Sequence, residues 1–148
     1  MKLVLAIISI IFCMLGSNAF AESPDDLYLR DYKAYFQQWE KKKERAISCT
    51  SPKSTAAFLS EATDMWMNAE VSEGNAEVIE NLIMKNPKCF LDGLRRLTVV
   101  KQRQIITYFV ANSIYEHDEE IEKALNTVWA KGHYTRQKQL FEKAKRTR

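Results

Sequence analysis

One histidine in this chain stands among carboxylates, and that group is the first place to look for chemistry. His117 follows Glu116 and precedes the acidic run Asp118, Glu119 and Glu120. An imidazole beside carboxylates can act as a general base or bind a metal ion. The same spacing also fits the start of a helix, with Asp118 as the N-cap and the glutamates at the positive N-terminal end. We favour the capping interpretation, so we predict no catalytic or metal-binding residue here.

Other constellations that could support catalysis are scarce. The sequence contains no phosphate-binding loop, dinucleotide fingerprint, calcium loop or metalloprotease helix motif. Two sets of carboxylates lie at helical spacing, namely Glu61 with Asp64, and Glu73 with Glu77 and Glu80. Such sets usually lie on solvated helix faces, so we expect neither to be a glycosidase-like acid/base pair. The sequence therefore predicts a protein that is not an enzyme and that uses no cofactor.

Two cysteines remain if an N-terminal leader is removed, because Cys13 lies within that leader. Cys49 and Cys89 permit a single intramolecular disulfide, and an oxidising compartment would preserve it. The bond would close a loop of about 40 residues, which the chain-entropy model values at about 4 kcal/mol. Free thiols for redox or metal chemistry are the competing interpretation, but the pair is not a C-x-x-C motif. We predict a structural disulfide that joins the end of one helix to the start of a later one.

The first 21 residues have the pattern of a secretory signal peptide. Lys2 precedes an apolar run, and the small residues Ala19 and Ala21 mark a cleavage site after Ala21. A permanent membrane anchor fits less well, because it needs about 18 or more apolar residues. We therefore expect residues 1–21 to be cleaved and the mature chain to be exported. The periplasm is the expected compartment, and the extracellular space is the alternative.

The remaining chain, residues 22–148, is predicted to be a single all-α domain. Its apolar residues recur at helical spacing, and proline and glycine are found mainly near the ends of the helical stretches. The pattern predicts helices over residues 24–47, 54–69, 74–85, 87–97, 99–114, 118–130 and 133–146. We expect an irregular bundle of about six to seven amphipathic helices, cross-linked by one disulfide.

Two helix starts and one interior glycine carry more specific expectations. Ser23-Pro24 and Asn86-Pro87 each offer an N-cap residue followed by proline at the first helical position. Gly93 lies inside the helix that follows Pro87, where glycine costs about 1 kcal/mol relative to alanine. We interpret Gly93 as a point of close approach by a neighbouring helix beside the disulfide.

The last predicted helix is strongly basic and amphipathic. Its cations include Arg136, Lys138, Lys143 and Lys145. Helices of this kind bind anionic lipids, polyanions or acidic protein surfaces. A last helix docked on the bundle, with cations near its negative C-terminal end, is the simpler interpretation. The stretch 133–148 is therefore a candidate site for an anionic surface, and docking is its structural alternative.

The net charge and the scarcity of catalytic motifs indicate which functions to expect. The formal net charge is +3 and falls by one when Lys2 is removed, so we expect no nucleic-acid binding. We expect a small exported protein-interaction module of the inhibitor or immunity type, whose partner is an exported toxin or hydrolase. In size and class the chain is similar to the small helical proteins that protect bacteria against secreted cell-wall amidases. No shared motif allows residues to be transferred from them.

Three hypotheses assign functions to the candidate residues. In the first, the charged stretch 116–120 enters the cleft of a protein partner. In the second, a lipid or polyanion binds the basic helix over residues 133–148. In the third, His117 and its carboxylate neighbours form a cryptic enzyme, which is the least favoured because capping explains those residues.

Overall fold

The computed structural model describes residues 22–147, so the signal peptide predicted over residues 1–21 lies outside the described residues. Within residues 22–147 the chain forms eight α-helices and no strand, which confirms the all-α class. The helices are α1 (Pro24–Arg30), α2 (Tyr32–Ile47), α3 (Pro52–Asp64), α4 (Ala69–Lys85), α5 (Pro87–Leu94), α6 (Val99–Ile105), α7 (Asp118–Trp129) and α8 (Thr135–Arg146). A π-helical turn, Ile106–Val110, directly continues α6.

The first predicted helix, over residues 24–47, is two helices separated at Asp31. This residue has φ −148° and ψ 80°, which is outside the helical region. Its N–H donates to the Leu27 carbonyl oxygen at 2.8 Å and closes α1, while its carboxylate accepts from the Ala34 N–H at 2.9 Å and caps α2. Aspartate competes in this way with the hydrogen bonds of a continuous helix. Because of this break, residues 22–147 contain eight α-helices, whereas we expected six to seven.

The boundary between the second and third predicted helices also differs. Helix α4 begins at Ala69 rather than at Gly74, and α3 ends correspondingly earlier. The Asn68 side chain accepts a hydrogen bond from the Val71 N–H at 3.2 Å and caps α4. Gly74 is consequently inside α4, where a Cβ atom would lie 3.3 Å from the Trp39 ring. The glycine therefore makes room for an indole and does not mark a helix start.

The predicted disulfide is present: Cys49 is bonded to Cys89, and their Cα atoms lie 6.1 Å apart. Cys49 follows α2 with φ 49°, the only positive φ among the described non-glycine residues. The Cys49 N–H donates to the Ala46 carbonyl oxygen at 3.0 Å, and the Thr50 N–H donates to the Arg45 carbonyl oxygen at 3.3 Å. This pair of hydrogen bonds is the Schellman motif, which commonly ends a helix. Glycine usually occupies this left-handed position. A cysteine occupies it here and makes the cross-link.

The other end of the disulfide lies in the first turn of α5. Asn86 caps α5 by accepting a hydrogen bond from the Cys89 N–H at 3.1 Å, as the sequence predicts. Ser23 caps α1 in the same way, through the Asp26 N–H at 3.1 Å. The bond therefore joins the end of α2 to the start of α5, as predicted.

Helices α3 and α5 pack most extensively of all helix pairs, beside the disulfide. A Cβ atom on Gly93 would lie 2.5 Å from the Cγ2 atom of Thr55 and 3.2 Å from the Ala56 nitrogen. Non-bonded carbon atoms have their optimal separation near 3.5–4.0 Å, so a side chain at this position has no space. The predicted close approach at Gly93 is confirmed.

One hydrophobic core takes side chains from α2 through α8. Its largest fully buried rings belong to Tyr35, Phe58, Phe90 and Phe109. Helix α8 docks on this core through Phe141 and Ala144, both buried, and through a buried amide pair in which Gln137 Nε2 donates to Gln102 Oε1 at 2.8 Å. None of the helices within residues 22–147 is long and apolar enough to cross a membrane.

Replacing Gly93 by alanine should lower the free energy of unfolding by about 1–3 kcal/mol, because the added methyl group would overlap Thr55. Without that overlap alanine would stabilise the helix by about 1 kcal/mol. Urea unfolding of the variant and the wild type measures the difference. In a Thr55→Ser background, which lacks the Cγ2 methyl group, the cost should be smaller. A Gly93→Ala protein as stable as the wild type would contradict close packing at this point.

Candidate interaction surface

A buried glutamate holds the segment that connects the π-helical turn to α7. Glu80 of α4 is 1% exposed, and its carboxylate accepts hydrogen bonds from three successive backbone N–H groups. The Ile114 N–H donates to Oε1 at 2.6 Å, and those of Tyr115 and Glu116 donate to Oε2 at 2.9 and 2.6 Å. A carboxylate is costly to bury without donors, and hydrogen bonds to a charged acceptor are strong. Glu80 therefore fixes the course of this segment.

Side-chain hydrogen bonds close the same segment, residues 111–117, at both ends; we call it the clamped loop. At its start, Asn112 Nδ2 donates to the Thr107 carbonyl oxygen at 2.6 Å. At its end, the Ser113 hydroxyl donates to the Asp118 carboxylate. A loop ordered in this way loses less conformational entropy on binding than a mobile one.

The clamped loop presents two large side chains to solvent. Ile114 is 62% exposed and Tyr115 is 48% exposed. On the π-helical turn that leads into the loop, the half-exposed Tyr108 stacks on Trp66 of the α3–α4 connection, with ring centroids 4.5 Å apart. What sets Ile114 and Tyr115 apart from more exposed side chains such as Met67 is that they are adjacent on a backbone segment held by a buried carboxylate. Tyrosine is among the residues most often found as an anchor of protein interfaces.

Carboxylates surround Tyr115. Glu73 and Glu77 precede Glu80 at successive turns of the same α4 face, and both are exposed. Desolvation raises the pKa of the Tyr115 phenol, and so do the negative charge and hydrogen bond of Glu73 and the charge of Glu77. The tyrosine ring therefore lies beside the exposed glutamates of α4.

Five acids near the clamped loop form no salt bridge within the described residues. Within residues 22–147, six acidic side chains form salt bridges with lysine or arginine. No salt bridge of this part of the chain involves Glu73, Glu77, Glu116, Glu119 or Glu120. A nearly neutral protein thus carries a locally negative surface around two exposed apolar side chains.

The structure brings residues 116–120 together at the start of α7 but corrects the predicted capping. His117, not Asp118, is the N-cap residue of α7, and its side chain makes no capping hydrogen bond. Asp118 is the first helical residue, and its carboxylate accepts from Ser113 instead. Asp118, Glu119 and Glu120 nevertheless lie in the first turn, where negative charge is favourable.

Two carboxylates expected on solvated helix faces are buried instead. Glu61 is 8% exposed and pairs with Lys42, and Glu80 is the residue that clamps the loop. Sequence reasoning missed Glu80 because its spacing places it in line with exposed glutamates. A signal was present, since Ala76 and Ile83 flank Glu80 one turn before and one turn after it, and both are buried.

The predicted cations of the last helix have two different surroundings. Arg136, Lys138 and Lys143 are exposed on α8. Lys145 pairs with Glu122 of α7, and this hydrogen bond raises the pKa of Lys145. Because the apolar side of α8 faces the core, only its charged side remains available to a partner.

No protein-family model matches the chain, and no curated protein or solved structure matches it. Among residues 22–147, no group of three or more histidine, cysteine, aspartate or glutamate side chains is placed to hold a metal ion.

Replacing Glu80 by glutamine should lower the free energy of unfolding by about 2–3 kcal/mol, because the amide offers one acceptor oxygen to three donors and places its own N–H groups among them. Hydrogen exchange at the amides of residues 114–116 should accelerate most. Glu77→Gln, on the same face but exposed, is the matched control and should change stability by less than about 0.5 kcal/mol. Equal effects of the two substitutions would show that Glu80 does not hold the loop.

Proposed function

We propose that this protein is an exported, non-enzymatic interaction module of the inhibitor or immunity type, which binds an exported toxin or hydrolase. The observation that supports this function is the clamped loop, in which Glu80 holds the backbone from inside and Ile114 and Tyr115 point outward. Binding energy is usually concentrated in a few such anchors, and an ordered loop presents them at low entropic cost.

The charges around the anchors indicate the kind of partner. Protein interfaces commonly place apolar anchors at the centre and polar groups at the rim. Here the rim includes Glu73, Glu77 and Glu116, none of which forms a salt bridge within the described residues. Complementary charge accelerates association and selects among partners. We therefore propose a partner whose cleft has an apolar pocket bordered by lysine or arginine.

Two features support export. The signal-peptide pattern of residues 1–21 predicts removal of the leader after Ala21. The Cys49–Cys89 disulfide would persist in an oxidising compartment such as the periplasm. A partner in that compartment is consistent with both.

The proposed function is tested by capture of the partner with variants of the loop. The tagged full-length gene is expressed in its native host, and complexes are cross-linked before purification and mass spectrometry. An Ile114→Ala/Tyr115→Ala variant should bind the captured protein at least about 30-fold more weakly, since two anchors of this kind contribute about 2 kcal/mol or more. Titration of the purified partner measures the affinity.

The matched control for this experiment is Val100→Ala/Tyr32→Ala, because Val100 and Tyr32 are 67% and 51% exposed at other places on the surface. This control should bind as the wild type does. Equal weakening in both variants, or capture that the loop variant leaves unchanged, would contradict the proposed function.

The second candidate function is adsorption to an anionic surface through α8. It is favoured by Arg136, Lys138 and Lys143, which are exposed and form no salt bridge within the described part of the chain. Since the apolar side of α8 is docked on the core, this binding would be electrostatic and would involve no insertion into lipid.

Vesicles that contain phosphatidylglycerol test the second candidate. The wild type should sediment with them at low salt and dissociate at high salt. Converting Arg136, Lys138 and Lys143 to glutamine should weaken binding about a hundredfold, at about 1 kcal/mol for each cation. The charge-matched control converts Lys33, Lys41 and Lys53, which are exposed elsewhere. If both triple variants bind equally, α8 is not the site.

A further inference from the structure

The two ends of the disulfide lie in opposite electrostatic surroundings. Cys49 lies two residues beyond Ile47, the last residue of the 16-residue helix α2, near the negative end of its dipole. Cys89 lies in the first turn of α5, next to the positive end. A thiolate is therefore favoured at Cys89 and disfavoured at Cys49.

A neighbouring hydroxyl adds to this difference. Thr55 is fully buried in α3, and its Oγ1 lies 3.4 Å from Cys89 Sγ and 3.4 Å from the Ser51 carbonyl oxygen, to which it donates. If Cys89 becomes a thiolate, the Thr55 hydroxyl can turn its proton from that carbonyl oxygen to the charged sulfur, which is the stronger acceptor. Burial of Cys89, which is 3% exposed, opposes the charge, and the hydroxyl and the helix N-terminus act against that penalty.

Exposure distinguishes the two residues as well. Cys49 is half-buried in a turn between the exposed residues Ser48 and Thr50, whereas Cys89 is buried. The rate of thiol–disulfide exchange depends on which sulfur is accessible and on how readily the other leaves as a thiolate. Both factors direct an incoming thiolate to Cys49.

We infer that thiol–disulfide exchange at this bond proceeds through Cys49, which is the site of mixed-disulfide formation. An incoming thiolate R–S⁻ forms a bond to Cys49 Sγ, the bond between Cys49 and Cys89 breaks, and Cys89 Sγ leaves with the electron pair as a thiolate. Formation is the reverse: a disulfide R–S–S–R first places R–S on Cys49 and releases R–S⁻. The Cys89 thiolate then attacks Cys49 Sγ and releases the second R–S⁻. The oxidant is a disulfide, of a small molecule or of a thiol–disulfide oxidoreductase.

Mixed disulfides with glutathione test this inference independently of any protein partner. The folded, oxidised protein is treated with reduced glutathione, quenched with iodoacetamide and analysed by peptide mass spectrometry. Glutathione should be found on Cys49 and the alkyl group on Cys89, in at least about tenfold excess over the opposite arrangement. The same treatment in concentrated urea should give nearly equal amounts. Equal amounts under native conditions, selectivity that persists in urea, or no exchange without urea would each overturn the inference.

A substitution at Thr55 tests the leaving-group contribution. Thr55→Val removes the hydroxyl and should slow formation of the Cys49 adduct about three- to tenfold, because the departing thiolate loses a hydrogen bond. Thr63→Val is the matched control, since Thr63 is also buried in α3 and its hydroxyl also donates to a backbone carbonyl oxygen, that of Ser60, but it is not hydrogen-bonded to a cysteine sulfur. A Thr55→Val protein that reacts as fast as the control would overturn the role of the hydroxyl.

Discussion

The buried carboxylate of Glu80 imposes a constraint on the chain that follows α6. A negative charge inside a protein needs donors, and the N–H groups within a helix are already used by that helix. The donors must come from groups that are not already paired. For Glu61 the donor is the Lys42 side chain, whereas for Glu80 the chain supplies backbone N–H groups of three consecutive residues, 114–116. These three hydrogen bonds tie the irregular loop to α4. The position of Ile114 and Tyr115 on the surface follows from a charge in the interior.

The clamp has its effect only because α4 is itself held in place. Helix α4 packs on α5, α7 and the π-helical turn, and α5 in turn is fixed against α3 and α2. The disulfide and the close contact of Gly93 with Thr55 act on the same side of α5, one by a covalent bond and the other by steric fit. A chain of contacts thus connects the cross-link to the clamped loop.

The sequence predicted those features that depend on periodicity or on a local motif. Apolar stripes located the helices, and Ser23 and Asn86 marked two helix starts. The two cysteines beyond residue 21 allowed only one intramolecular pairing with each other. Asp31 and Asn68 were harder to interpret, because a polar side chain inside a helical pattern can either point to solvent or bond to the backbone and end the helix.

The role of Glu80 could not be predicted from the sequence, for a different reason. Its partners lie 34 to 36 residues further along the chain, and no local pattern connects them. The candidate site was therefore found only in part: the acidic run after residue 115 was visible in the sequence, but the residue that orders the adjoining backbone was not. The periodicity of apolar residues predicts local structure, but it does not predict contacts between segments that are far apart in the sequence.

The π-helical turn Ile106–Val110 helps to set the direction in which the clamped loop leaves α6. A π turn is an α-helical turn with one residue added, and one residue rotates the rest of the chain by about 100° around the helix axis. The Ala111 N–H donates to the Ile106 carbonyl oxygen at 2.8 Å, so the widened turn ends where the loop begins. Deleting one residue of the π-helical turn would leave the rest of the sequence unchanged but would rotate the start of the loop around the helix axis. The direction in which the loop leaves α6 thus depends on the number of residues in the turn as well as on their types.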